Sequence, residues 1–331
     1  MKKIILGWNL QLFSTDVNPI NVTSQGGMSP TWKTFYDTAL LENARENMLF
    51  TQLGKKQPIK GGKVEWRKFN TFQKALTALQ EGIIPTGQVF GMTKIEGEVT
   101  QHGDFTAVSD RLEMESYDDV IFGATEEMGA AEGETYDTLT RNVLVAGNCV
   151  MYAPKGDSEI TQREALDNTC TLTPDLVNRA ATWLKKNKAP RIDGYYVAII
   201  HPSVAYDLRN HEKWEEYHKY SNVEPIFKGE IGELHGVRFI ESNNAKIWGE
   251  AGSGGVATYA TLFMGKDAFG IVEPEGEGME MIIKPKEQIG GPLNQFSTIG
   301  YKFCHCARIL YQERMLRVES GSSFGLVDEE N

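Results

Sequence analysis

Alternating hydrophobic and polar residues predict a long β-hairpin in the first third of the chain. In the segment GGKVEWRKF, Val64, Trp66 and, less regularly, Phe69 alternate with charged residues, as in a strand solvated on one face. A loop containing Gly and Pro follows, and residues 93–110 alternate again. We expect a hairpin over 63–110 with arms of ~15 residues, each ~50 Å long. A two-stranded ribbon of that length is marginal alone in water, so it should pack on something outside its own subunit.

A spacing of three and four residues predicts a helix over 116–146, which at 1.5 Å per residue is ~45 Å long. A helix of this length is longer than those in an average globular core, and we call it the spine helix. Helices are also predicted over 31–53 and 173–188, the latter because Thr173 and Pro174 are helix-start residues. The predicted apolar stripe of the spine helix comprises Ile121, Ala124, Met128, Ala131, Thr135, Leu139, Val143 and Ala146.

Short apolar segments between residues 193 and 290 alternate with turns and one helix, which predicts a compact α+β module. A last strand of unusual length is predicted over 298–319. These patterns divide the chain into five parts: 1–53, an N-terminal arm with the first helix; 54–110, the extended hairpin; 111–192, the region of the spine helix; 193–290, the compact module; and 291–331, a closing strand with a C-terminal tail.

The composition is that of a globular protein. Of 331 residues, 40% are hydrophobic and 24% are charged. The net charge of −11 disfavours tight wrapping of nucleic acid, which needs clustered Lys and Arg. Four cysteines in so long a chain suit a reducing compartment. No apolar run reaches the ~18 residues of a membrane span. The N-terminal MKKIILGWNLQLF superficially resembles a secretory signal, but its interrupted apolar stretch favours a mobile or docking arm.

His201, Ser203 and Asp207 lie close together in YYVAIIHPSVAYDLR and resemble catalytic equipment of a hydrolase. A nucleophile elbow needs Gly-x-Ser-x-Gly, whereas this segment reads HPSVA. Pro202 suits the first turn of a helix. We therefore interpret the segment as the corner where a buried strand passes into a helix, and we predict no catalytic residue.

Three further segments contain residue types that are typical of ligand sites. In CHC, residues 304–306, a strand would place Cys304 and Cys306 on one face and His305 on the other, so three metal ligands could not converge. The glycine-rich 252–255 lacks the Gly-Lys-Ser/Thr of a phosphate loop. The charged and aromatic run 211–220 offers no third ligand at suitable spacing. We predict neither a metal nor a cofactor.

Six blocks of the sequence resemble the major capsid proteins of tailed bacteriophages, and in particular the N4-like coat protein family. The resemblance keeps its order from about residue 28 to 320, and residues 1–27 fall outside it. The blocks are TFYDTALLENARENMLF, GGKVEWRKFNTF followed by KALTALQEG, GETYDTLTRNVL, GYYVAIIHPSVAYDLR, GEIGELHGVRFIES and YATLFMGKDAFGIV.

The resemblance implies the HK97-like α+β capsid fold. By analogy, 63–110 would be the extended loop called the E-loop. Residues 116–146 would be the spine helix of the peripheral domain, 193–290 the axial domain, and 298–319 a strand returning to the peripheral domain. Such proteins form the hexamers and pentamers of an icosahedral virion shell around double-stranded DNA, assembled in the bacterial cytoplasm. A portal protein and a separate scaffolding protein are expected partners, and no membrane is involved.

Assembly then replaces catalysis as the expected mechanism. We expect the hairpin around Trp66 and Phe69 to pack on the spine helix of a neighbouring subunit. Arg45, Arg67 and Arg141 are expected to pair with acids of neighbouring subunits. Two alternatives stay open at this stage: an encapsulin-like nanocompartment shell, which shares the fold but encloses protein cargo, and a soluble hydrolase using His201 and Asp207.

Overall fold

A computed structural model describes the following residues: 20–24, 48–59, 61–78, 81–82, 84, 87–116, 120–212, 214, 230–274, 278–289, 293–325 and 327–331. Most of the predicted helix over 31–53 and most of the run 211–220 lie outside them. No helix in these ranges is long and apolar enough to cross a membrane. The packing of Cα atoms separates the chain into two compact units.

The first unit takes its described residues from strand β1 and from the segments Gly103–Glu132 and Met279–Phe303. Its four-stranded sheet has the order β1-β5-β14-β13. Those strands are β1 Ile20–Ser24, β5 Thr100–Arg111, β13 Glu280–Lys284 and β14 Phe296–His305. Close approach between β5 and β14 depends on glycine, since a Cβ at Gly103 would lie 2.5 Å from the Tyr301 carbonyl oxygen.

Helix packing on one face completes the core of this unit. Helix α2 (Leu112–Glu115) is one turn, and helix α3 (Val120–Val145) follows. The N-terminal half of α3 packs on the sheet through a cluster that comprises Val108, Ile121, Met281 and Ile299. The prediction of a long spine helix agrees with α3, which has 26 residues.

The buried stripe of α3 differs from the predicted one. Its most buried positions include Thr125, Glu132, Tyr136 and Thr140, whereas predicted stripe residues such as Ala131 are exposed. The threonines tolerate burial because their hydroxyls donate to the helix itself, at 2.7 Å from Thr125 Oγ1 to the Ile121 carbonyl and at 3.1 Å from Thr140 Oγ1 to that of Tyr136. Counting only apolar residues therefore misplaced the stripe.

A seven-stranded mixed sheet dominates the second unit. Its path is β6-β16-β11-β7-β9-β8, and β10 pairs with β11. The central strands β7 and β11 are buried at every position, as expected for apolar runs covered on both faces. The strands are β6 Val150–Tyr152, β7 Tyr196–Ile200, β8 Glu230–Leu234, β9 Val237–Glu241, β10 Ile247–Trp248, β11 Thr258–Met264 and β16 Met315–Ser320.

Two helices cover this sheet and share its core. Helix α4 (Pro174–Lys186) begins as predicted, because Thr173 Oγ1 accepts the Leu176 amide at 3.3 Å and Pro174 follows at the first position. Helix α5 (Pro202–Arg209) follows β7 directly. Helix α1 (Phe50–Leu53) is a single turn.

A three-stranded sheet and a hairpin complete the unit. The sheet has the order β15-β12-β2, and strands β3 and β4 form the hairpin. The strands are β2 Lys55–Ile59, β3 Lys63–Phe69, β4 Met92–Glu98, β12 Phe269–Pro274 and β15 Ala307–Ile309.

Three predicted boundaries need correction. The hairpin ends at Glu98, with arms of seven residues, because β5 pairs with β1 and β14 instead of continuing it. The predicted strand over 298–319 is three strands, β14, β15 and β16, each in a different sheet. Strand β13 pairs with β14 in the first unit, so the module predicted over 193–290 ends at Gly278 in the second unit.

Candidate interaction surfaces

The base of the hairpin is anchored in its own subunit. Strands β3 and β4 pair over seven residues, from Lys63 opposite Glu98 to Phe69 opposite Met92. Trp66 is 7% exposed and packs with Val272 and Cys306. A Cβ at Gly270 would meet the Trp66 ring at 3.0 Å, so glycine lets the indole lie against the backbone of β12.

In contrast to the buried base, the distal loop of the hairpin carries aromatic side chains that are exposed. The rings of Phe69 and Phe90 stack at 4.9 Å between centroids, and those of Phe72 and Phe90 at 5.5 Å. All three side chains are more than half exposed. Further apolar side chains are exposed: Leu76, Ile84 and Val89 in this loop, and Met92 at the start of β4. An exposed apolar patch rimmed by polar residues is typical of a protein interaction surface.

The rim of this patch is charged but internally paired. Glu65 accepts from Arg67 Nε at 2.6 Å and from Lys94 Nζ at 3.0 Å. These two hydrogen bonds hold the pKa of the Glu65 carboxyl below its ordinary value. Arg67 is exposed and available to a neighbour, but it already has a carboxylate partner within the hairpin.

Arg141, another predicted contact residue, is 1% exposed. Its Nη1 donates to Asn244 Oδ1 at 2.8 Å, and its Nη2 donates to the backbone oxygen of Asn331 at 3.1 Å. Asn244 in turn donates to Asp137 at 3.4 Å. Arg141 therefore fastens α3 to a loop of the sheet and to the C-terminal tail.

The predicted contact residues differ in their surroundings within the chain. Trp66 and Arg141 have packing and hydrogen-bond partners within the chain, because the sheet and tail that cover them are not visible in the local sequence. Arg67 and Phe69 lie on accessible surface. For all four residues, contact with a neighbouring subunit stays a prediction. Arg45 lies outside the described residues. The pattern-based reading missed Phe72 and Phe90, because neither belongs to an alternating segment; large aromatic residues in a Gly- and Pro-containing loop were the available signal.

The segment around His201 is a helix start. His201 caps α5, and its Nδ1 accepts the Ser203 amide at 3.2 Å. Ser203 Oγ donates to Asp328 at 3.2 Å, and Asp207 accepts from the amide of Ser323 at 2.9 Å. Burial lowers the pKa of His201. The Nδ1 atom of His201 thus bonds to the backbone at the start of the helix, as expected for a structural corner.

The Cys304–Cys306 segment is buried at all three positions. His305 Nε2 lies 3.0 Å from Thr140 Oγ1, and its ring meets Tyr136 edge-on at 4.9 Å. Burial lowers the pKa of His305 to about 4, so the imidazole is neutral at pH 7. In the part of the chain that the structure describes, no three His, Cys, Asp or Glu side chains gather as a metal site.

Comparison with known proteins identifies the family to which the chain belongs. A family model described as phage capsid protein matches residues 103–287, which is more than half of the chain. The chain therefore belongs to the phage capsid protein family. No curated protein matches it.

Solved structures share the fold. The capsid of Ralstonia phage GP4 has a TM-score of 0.65 at 14% identity, covering 97% of this chain and 98% of that one. The capsid of cyanophage P-SCSP1u has a TM-score of 0.63 at 14% identity, covering 83% and 89%. The cyanophage Pam1 capsid has a TM-score of 0.64 at 12% identity, covering 94% and 98%.

Family and fold together confirm the predicted function at the level of a tailed-phage major capsid protein with an HK97-like α+β fold. Such a protein is a subunit of self-assembling capsid oligomers and belongs to the virion capsid. Its membership of the N4-like group stays a prediction.

Proposed function

We propose that this chain forms the hexamers and pentamers of an icosahedral shell that encloses double-stranded DNA. Assembly takes place in the cytoplasm of the host bacterium, with a portal protein and a separate scaffolding protein as partners. The chain acts by packing against its own copies, and it catalyses no reaction.

The observation that carries this proposal is the distal loop of the hairpin. Phe69, Phe72 and Phe90 leave roughly 300 Å² of apolar surface in water, and covering it would release about 7 kcal/mol as an upper bound. This exposed apolar surface does not stabilise a monomer. In a capsomer, each subunit whose loop packs on its neighbour would contribute the free energy of burying that surface.

The receiving surface is proposed to include the spine helix of the neighbour. The predicted stripe along α3 is accessible in part: Ala131 is exposed, and Thr135 and Leu139 are half-buried. Small residues there allow another chain to approach closely. Arg67 lies at the rim, where an added ion pair contributes little.

Electron microscopy of the concentrated full-length chain tests the proposal. We expect closed particles with fivefold and sixfold capsomers, and we expect particles from infected cells to protect DNA against nuclease. A chain that stays monomeric under crowding, with and without a co-expressed scaffolding protein, would contradict the proposal. Shells that hold protein cargo in place of DNA would point to a nanocompartment.

The absence of catalysis is tested separately with a serine-reactive fluorophosphonate probe. We expect no labelling of Ser203, because its hydroxyl donates to the Asp328 carboxylate and the Nδ1 atom of His201 accepts the Ser203 amide, an arrangement that caps a helix. The variant Ser203→Ala is the matched control. Labelling that disappears in this variant and also in His201→Ala would establish a hydrolase site and overturn this part of the proposal.

A further inference from the structure

Six cationic residues lie on chain segments that meet at one end of the second unit, where helix α4 stops. They come from four segments of the chain: the last turn of α4, the loop after it, the turn between β11 and β12, and the one-turn 3-10 helix before β16. The residues are Lys185, Lys186, Lys188, Arg191, Lys266 and Arg314.

Backbone hydrogen bonds hold these segments together. The Lys266 amide donates to the Pro190 carbonyl at 2.9 Å, and the Gly265 amide donates to the Arg314 carbonyl at 2.8 Å. Arg314 Nη1 donates to the Lys266 carbonyl at 3.2 Å. The cations from separate parts of the sequence therefore share one surface, which we call the basic end.

The charges of the basic end are not neutralised within the subunit. Five of the six side chains are exposed, and Arg314 is half-buried against the Tyr311 ring at 3.7 Å. In the described part of the chain none of the six has an ion pair. Asp193 and Asp267 lie in the same turns, which leaves an excess of four positive charges. Glu313 is already paired with Lys68 at 3.6 Å.

Part of this cluster has an ordinary local explanation. Lysines in the last turn of a helix offset the partial negative charge of its C-terminus. That accounts for Lys185 and Lys186. It does not account for Arg191, Lys266 and Arg314, which belong to other segments and add their charge to the same surface.

We propose that the basic end binds the phosphates of double-stranded DNA. This inference rests on the proposed function, in which DNA fills the shell. A duplex carries one negative charge per ~1.7 Å of its axis, so a surface with unpaired cations from several segments can meet several phosphates at once. The chain as a whole is acidic, with a net charge of −11, so the surface outside the basic end repels DNA. Contact limited to the basic end would turn this end of the subunit toward the DNA in the shell and would keep the binding weak.

Fluorescence anisotropy on the unassembled full-length chain tests the inference. The probe is a labelled 20-base-pair duplex of mixed sequence, titrated at salt concentrations from 25 to 200 mM. The variant Lys186→Gln/Lys266→Gln removes two charges from the basic end. The control Lys55→Gln/Lys284→Gln removes two exposed charges elsewhere, neither of which has an ion pair in the described ranges.

We expect the wild-type chain to bind with a strong salt dependence. In the basic-end variant, affinity at 50 mM salt should fall at least about tenfold, and the slope of log K against log salt should be shallower by about 2. The control should retain both values. No binding at 25 mM salt, or equal losses in the two variants, would overturn the inference.

Two further experiments distinguish a failure of the DNA inference from a failure of the proposed function. If polyglutamate displaces the duplex equally well per charge, the basic end takes an acidic polypeptide, and the DNA inference is wrong. Electron microscopy of the same samples reports on assembly. Closed shells from a chain that binds no DNA would overturn only this inference, whereas a chain that forms no shell would count against the proposed function.

Discussion

The seven-stranded sheet and the distal hairpin loop use aromatic residues in opposite ways. In the sheet, Phe239 and Phe263 are fully buried and meet edge-to-face at 6.1 Å. In the loop, Phe72 and Phe90 are more than half exposed, and the Phe90 ring stacks on those of Phe72 and Phe69. The sheet uses its apolar surface to stabilise one subunit. The loop keeps its apolar surface for a second subunit, so stability and assembly should respond to different substitutions.

The largest loss of stability is expected in the sheet. Phe263→Ala removes a ring that is 0% exposed on the central strand β11, and we expect the free energy of unfolding to fall by about 4 kcal/mol. Denaturant titration followed by circular dichroism measures this value. A loss below about 1 kcal/mol would show that this core is loosely packed and would weaken the comparison.

A buried carboxyl on the spine helix should give the next largest effect. Glu132 is 0% exposed, its oxygens have no hydrogen-bond partner in the described part of the chain, and burial raises its pKa from 4.5 to about 7. The folded state therefore holds this proton more tightly than the unfolded chain. The free energy of unfolding should fall by about 3 kcal/mol as the pH rises from 4.5 to above 7.

Glu132→Gln cannot ionise and should remove that pH dependence. The unfolding free energy of the variant minus that of wild type should therefore be about 3 kcal/mol larger at pH 8 than at pH 4.5. Glu126→Gln, at an exposed position of the same helix, is the control and should behave like wild type at both values. Equal effects of Glu132→Gln at the two pH values would mean that its charge is compensated.

The smallest effect on stability is expected in the loop. Phe90→Ala removes an exposed ring, so the free energy of unfolding should change by less than about 0.5 kcal/mol. Assembly should suffer, because the stack with Phe69 and Phe72 loses its middle member. Sedimentation velocity of assembly reactions provides the second readout. Unimpaired assembly by this variant would remove the loop aromatics from the interface.

The sequence pattern succeeded where local rules decide the structure. Thr173 and Pro174 start α4 as predicted, and the apolar run before His201 is the buried strand β7 that passes into α5. The family followed from blocks of resemblance, and the family match confirms it. These features depend on neighbours in the sequence, so the sequence alone reveals them.

The sequence pattern failed where contacts between segments that are far apart in sequence determine the structure. Alternation continues from β4 into β5, but pairing with β14 places β5 in another sheet. The backbone at Gly270 and the side chain of Asn244, which are distant in sequence, contact Trp66 and Arg141 within the chain, and no local pattern predicts these contacts. Glu132 could not be predicted as buried, because no local pattern favours an unpaired carboxyl in a core.

A loop deletion tests the central claim most directly. Removal of residues 71–90 joins Asn70 to Gly91, whose backbones already bond at 3.0 Å, and creates the Asn-Gly pair that two-residue hairpin turns favour. Strands β3 and β4 and the Trp66 anchor stay intact. We predict a folded subunit, with an unfolding free energy within about 1 kcal/mol of wild type, that forms no shells in the electron microscope. Normal shells from this variant would contradict the account.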